Sequence, residues 1–186
     1  MDFAVNEKDE IYAIGGVLGE NTFLVSPKKK ISQTVLREFD VFASDARFVL
    51  GHNILTHDIP RLQQIAPALQ LFNKPRIDTL FLSPLAYPAN PYHRLIKNYQ
   101  IVRDSINDPV QDALLAGKVF AEQWDALVRQ FEENPDVPLL YRGFLSAEDN
   151  LAGTAEALAW MGIPLLPRED VLDAFSWFAR KHSCVS

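Results

Sequence analysis

Four aspartates stand at positions where a catalytic centre would draw on them. Asp58 closes the polar run in FVLGHNILTHDIPRL, residues 48–62, where an apolar strand stops at Gly51 and helical spacing resumes with Ile59 and Leu62. Asp2 sits in the first strand, Asp78 ends a short strand at 76–78, and Asp112 lies one turn inside a long helix. In open α/β sheets, chemistry collects at strand ends near helix starts. Carboxylates gathered there repel one another and lose hydration. A pair of hard divalent cations relieves both problems and can drive in-line hydrolysis of a phosphodiester. Each residue also has a plainer reading. Asp58 can simply favour the positive end of a helix, and Asp112 can be a solvated helix residue.

The elements that must position these groups follow from spacing. IYAIGGVLGENTFLVSP, after MDFAVN, reads as an antiparallel meander of three strands closing at Pro27. Val35, Leu36, Phe39 and Phe42 have helical spacing over 33–43. A short buried strand is expected at 47–50, one helix over 54–71, a strand end at 76–78 and an apolar helix in TLFLSPLAYP. Residues 90–106 read as polar and irregular. Asp108, Pro109 and Gln111 then open a long helix, as cap, first-turn proline and capping-box partner. Its apolar stripe is expected at Val110, Ala113, Leu114, Gly117, Ala121, Trp124, Val128 and Phe131. NPDVP, from Asn134, reads as a linker-like break before two further helices at 147–161 and 168–181, separated by IPLLP. Strands that precede and alternate with helices predict an α/β sheet, over 1–133, with a helical annex at 134–186.

GHNILTHDIPRL resembles the second motif of the DnaQ-like, DEDD-type 3′–5′ exonucleases. IDTLFLSPL resembles the strand and helix that follow it there, NDPVQDALLAGKVF the third motif, and IYAIGGVLGENTFLVSP the second and third strands. The likeness runs from residue 2 to about 131 with the motifs in family order. It implies a ribonuclease-H-like fold, a mixed five-stranded sheet flanked by helices, and a two-metal site for Mg²⁺ or Mn²⁺ on Asp2, Asp58 and Asp112. It also implies single-stranded DNA as substrate and DNA processing or repair as setting. Gly51 and Asn53 would shape the strand exit, with Asn53 bonding backbone. Asp78 would orient the next helix, and His52 would belong to the hydrogen-bonded scaffold. The histidines of this stretch lack the i, i+4 pair of a helical zinc site.

Two positions depart from the pattern. The family's first motif is Asp-x-Glu on a strand, where residues two apart face one side. Here it is Asp2-Phe3-Ala4, and Ala4 coordinates nothing. The third motif's general base, a His five residues before the Asp or a Tyr four before it, is replaced by Asn107 and Asp108. His93, in PYHRLIKNY, is the nearby alternative, with a suitable pKa, or else a residue that starts a helix turn and contacts backbone. Arg94, Lys97 and Arg103 can grip phosphates or be ordinary surface charge, as can Lys28 to Lys30. The missing Glu motivates a second expectation, a catalytically dead relative that binds DNA or a partner domain. HRLIKNY followed by NDPVQDA is similar to exonuclease-like domains placed ahead of RecQ-type helicases, which implies a downstream helicase domain in the same native chain.

Bulk properties agree with one α/β domain and an appendage. The chain has 186 residues, a net charge of −6 and one cysteine, Cys184. A general nucleic-acid coat is excluded by charge, and a disulfide framework or cysteine zinc site by cysteine count. No apolar run approaches the ~18 residues of a membrane span, and no leader is visible, so a soluble cytoplasmic protein is the expectation.

Overall fold

The computed structural model describes residues 1–6, 10–26, 30–90 and 108–181. The alternating N-terminal stretch forms β1 (Asp2–Val5), β2 (Ile11–Leu18) and β3 (Asn21–Val25), an antiparallel meander in that order. Asp2 pairs with Gly15 and Ala4 with Ala13, and the register slips between Ala4 and Val5. β4 (Val49–Gly51) and β5 (Arg76–Asp78) form a separate parallel pair. The result is mixed α/β, with three strands plus two. The two sheets meet where the Met1 ammonium donates to the Leu50 carbonyl at 2.5 Å.

Helix α1 (Gln33–Phe42) starts at Ser32, whose hydroxyl accepts the Val35 amide. Its Leu36 and Phe39 join Phe3, Ile14, Ile59 and Leu62 in one core. A second core gathers Ile77, Leu82, Leu127, Leu158 and Ile163. Val49 belongs to the first cluster and its neighbour Leu50 packs on the second, as alternation along a strand requires.

Where one helix is expected over 54–71, three pieces occur: a wide π-type turn at Ile54–Asp58, α2 (Ile59–Ile65) and a 3₁₀ turn at Gln70–Asn73. Two prolines explain the breaks. An α-helix running through from Ile54 would need an N–H that Pro60 lacks, and Pro67 drives Ala66 out of helical dihedrals, to φ −147°. The apolar helix after β5 is α3 (Thr79–Ala86). The long helix α4 (Pro109–Glu133) is capped as expected, with Asp108 accepting the Val110 and Gln111 amides. Its buried face differs from the expected stripe. Leu114 is 39% exposed while Leu115, Ala116, Gln123 and Leu127 are buried, because α4 is covered by the sheet on one side and by α3 and α5 on others.

NPDVP is not a linker. It opens a helix, α5 (Asp136–Leu145), with Pro138 in the first turn, where backbone N–H groups have no partner within the helix. Two more helices follow, α6 (Ala152–Trp160) and α7 (Arg168–Lys181). α6 lies so close to β5 that a Cβ on Gly153 would collide with the Arg76 backbone. Leu158 and Ile163 of this annex are fully buried in the second core, each contributing ~1.5–3 kcal/mol. Phe144, Leu172 and Phe175 stay exposed on α5 and α7.

Candidate active site

The exit from β4 is built by backbone constraints. Gly51 is packed between Met1 and Ile54, and a Cβ there would approach the Met1 carbonyl to 2.8 Å. Asn53 then takes a left-handed conformation, φ 61°, which turns its amide back toward β5. Asp78, fully buried at the end of β5, receives three amides: Asn53 at 2.7 Å, Leu55 at 3.0 Å and Leu80 at 2.9 Å. One carboxylate therefore pins the β4 exit to the start of α3. Among the described residues the Asn53 side chain bonds no backbone group, where a backbone bond was expected. Its oxygen accepts the Thr56 hydroxyl, and the backbone bond is made by its own amide. His52 belongs to the same scaffold. Thr79 Oγ1 donates to the Gly51 carbonyl, so it accepts from His52 Nδ1, 2.8 Å away. Burial lowers the His52 pKa, with Asp78 opposing, which favours this neutral ring.

This scaffold delivers Asp58 to the interior. The residue is 2% exposed, and Oδ1 has no hydrogen-bond partner among the described residues. The Phe3 backbone bonds the carboxylate, and His57 Nδ1 lies 3.6 Å from Oδ2. Burial first, and then the charge of Asp2, push the Asp58 pKa up to about 8. The Met1 ammonium and the Phe3 bond oppose that rise without cancelling it. A carboxyl with this environment is largely protonated at neutral pH unless a cation joins it.

Asp2 and Asp58 are thus within electrostatic reach of each other. Ala4, two residues along β1, is on the side of the strand that Asp2 faces and is only partly buried. The first turn of α4 lies directly over Gly15, the cross-strand partner of Asp2. A Cβ there would meet the Val110 nitrogen at 2.7 Å. Asp112 follows half a turn later and is partly buried, but it is not among the charges that act on Asp58. Among the described residues no three His, Cys, Asp or Glu side chains form a group that could hold a metal. His93, Arg94, Lys97, Arg103 and Asn107 lie outside the described residues, as do Lys28 and Lys29.

Two participants were invisible in the sequence. The Met1 ammonium is buried beside Asp2 and Asp58, and burial lowers its pKa. Gln123 is fully buried, donates to the Thr79 carbonyl at 2.8 Å, and so ties α4 to the scaffold residue that holds His52. Only its place in the middle of an apolar helix face hinted at this. Comparison with known proteins returns no match: no family model, no curated relative and no solved structure. Among the described residues no helix is long and apolar enough to cross a membrane.

Proposed function

We propose that this chain carries a ribonuclease-H-like, DnaQ-type exonuclease domain that removes nucleotides from the 3′ ends of single-stranded DNA with Mg²⁺ or Mn²⁺. The observation that carries this reading is Asp58: a buried carboxylate with an orphaned oxygen, next to a second carboxylate, in a site that raises its pKa to about 8. Such a group fits a divalent cation, which would remove the repulsion and fill the vacant acceptor. Asp2 and Asp58 would hold it; Asp112, the third ligand that the resemblance implies, does not form a group with them among the described residues. When bound, the metal supplies charge for an activated water and for the leaving oxygen. The protein's own part is to keep Asp58 aimed inward through the Asp78 scaffold. His93 would take the water's proton, and Arg94, Lys97 and Arg103 would hold phosphates. The bond from the Met1 ammonium to the Leu50 carbonyl, between the start of the three-stranded sheet and the two-stranded one, supports the fold reading.

Ala4 favours a second reading, a pseudo-nuclease that binds single-stranded DNA, or a helicase domain of the same native chain, without cutting. Its DNA affinity would fall steeply with salt as phosphate contacts release counterions.

Mn²⁺ binding followed by electron paramagnetic resonance tests the site without requiring turnover. The chain should bind Mn²⁺ at least ~10-fold more tightly than Asp58→Asn, since a ligand of a metal site rarely contributes less. Equal binding by the two proteins would remove the basis for both the metal site and the nuclease.

A further inference from the structure

A cavity of about 550 Å³ lies between the end of β2, the end of α1, the run into β4 and the first half of α4. Most of its wall is apolar. The buried Phe39 and Val49 line it together with the half-buried Phe42, Phe48 and Leu50. On the opposite side Ala113, Gly117 and Ala121 of α4 line it for about two helical turns, or roughly 12 Å. Gly117 is the odd member of that series. A glycine inside a helix is less favourable than alanine, and a Cβ there would meet nothing within 4 Å. Packing therefore does not call for it, and its effect is to leave the cavity wide.

The charged side chains of the lining are Arg47 and Lys118, two cations and no carboxylate, in a chain of net charge −6. Both are exposed, and neither makes an ion pair among the described residues. The Arg47 guanidinium lies over the Trp160 ring at 5.8 Å. Stacking of this kind uses the flat face and leaves the N–H edge able to donate. The Ser44 and Ala46 carbonyls, just after α1, are the nearby acceptors that could have drawn these cations. Lys74 Nζ already donates to both, at 2.8 and 2.7 Å.

A dry cavity of ~150 Å³ accepts the six heavy atoms of benzene, so one of about 550 Å³ accepts roughly 20. Apolar walls with a few polar groups are the usual make-up of a small-molecule site. We propose that this cavity binds a single-chain aliphatic carboxylate, with the chain along α4 and the carboxylate at Arg47 and Lys118. The length of the apolar wall suits a chain, and the two cations suit an anionic head. A carboxylate is favoured over a phosphate monoester because less charge loses hydration at the edge of an apolar space. This inference stands on the cavity and its charges and does not depend on nuclease activity.

Titration of the full chain followed by amide NMR shifts tests it, with octanoate, decanoate, 1-octanol and octyl phosphate as probes below micelle-forming concentrations. The Gly16, Val17, Leu18 and Gly117 amides should shift together. Decanoate should bind ~10-fold more tightly than octanoate, because two more methylenes are buried. Octanoate should bind ~5-fold more tightly than 1-octanol, and the Arg47→Gln, Lys118→Gln double variant should erase that preference while still binding the alcohol. Gly117→Leu puts a good helix former into the open space and should abolish binding of every probe. Absence of these shifts with decanoate, or undiminished binding by Gly117→Leu, would overturn the site. Equal binding of octanoate and 1-octanol would overturn the anionic head, and tighter binding of octyl phosphate would overturn the carboxylate.

Discussion

Asp58→Asn should change how stability depends on pH more than it changes stability itself. The Asp58 carboxyl has a pKa of about 8 in the folded protein, against ~3.9 when unfolded. A raised pKa means that the folded state binds the extra proton. Its contribution is therefore complete below ~4 and lost as pH rises through 8. Between pH 6 and 9 the loss works out at ~2–3 kcal/mol, or a fall of roughly 5–10 °C in melting temperature for a chain of this size. The Met1 ammonium works in the opposite direction. Its pKa is lowered, so its contribution is lost as pH falls through the folded value. The difference between wild type and Asp58→Asn, both in EDTA, reports the Asp58 contribution together with its coupling to the Met1 ammonium. Urea midpoints at pH 6, 7, 8 and 9 should show the variant gaining on wild type by that amount across the series. Adding Mg²⁺ should flatten the wild-type loss, because a cation holds Asp58 ionised. Parallel pH profiles for the two proteins would refute the description of Asp58 as a buried, proton-holding carboxyl.

Other substitutions probe the elements that hold the site. Asp78→Ala strands the Asn53, Leu55 and Leu80 amides and should cost ~3 kcal/mol or more in urea unfolding, with Asp78→Asn recovering part of it. Gly153→Ala drives a methyl into the Arg76 backbone and should destabilise by ~1–3 kcal/mol, whereas Gly117→Ala, which meets open space, should not destabilise. Gln123→Leu removes the bond to Thr79 but also the orphaned Oε1, so its cost should stay under ~1.5 kcal/mol.

Much of the scaffold was legible because its signals are local. Ser32 and Asp108 are caps whose side chains act within three residues, and the meander alternates with turns at its corners. Asp58 and Asp78 were marked by lying where strands hand over to helices. What the sequence hid depends on partners far along the chain. The π-type turn follows from Pro60 in a particular packing, and α5 hides behind two prolines that also suit a linker. The face that α4 buries depends on what covers it, so Leu114 and Leu115 exchange roles. The Met1 ammonium carries no side-chain signal at all, and its place beside Asp58 is set by the pairing of β1.

The nuclease reading meets its most direct test in degradation of 5′-labelled single-stranded DNA by Ala4→Glu with Mn²⁺. That substitution returns a carboxylate to the side of β1 that Asp2 faces. A ladder shortening from the 3′ end should appear, at least ~10-fold faster than with wild type, since one ligand supplies that much or more. It should vanish in EDTA and in the Ala4→Glu, Asp58→Asn double variant. Intact DNA with Ala4→Glu at every Mn²⁺ concentration, including at pH 9 where Asp58 is ionised, would contradict the assignment of these aspartates to a nuclease centre.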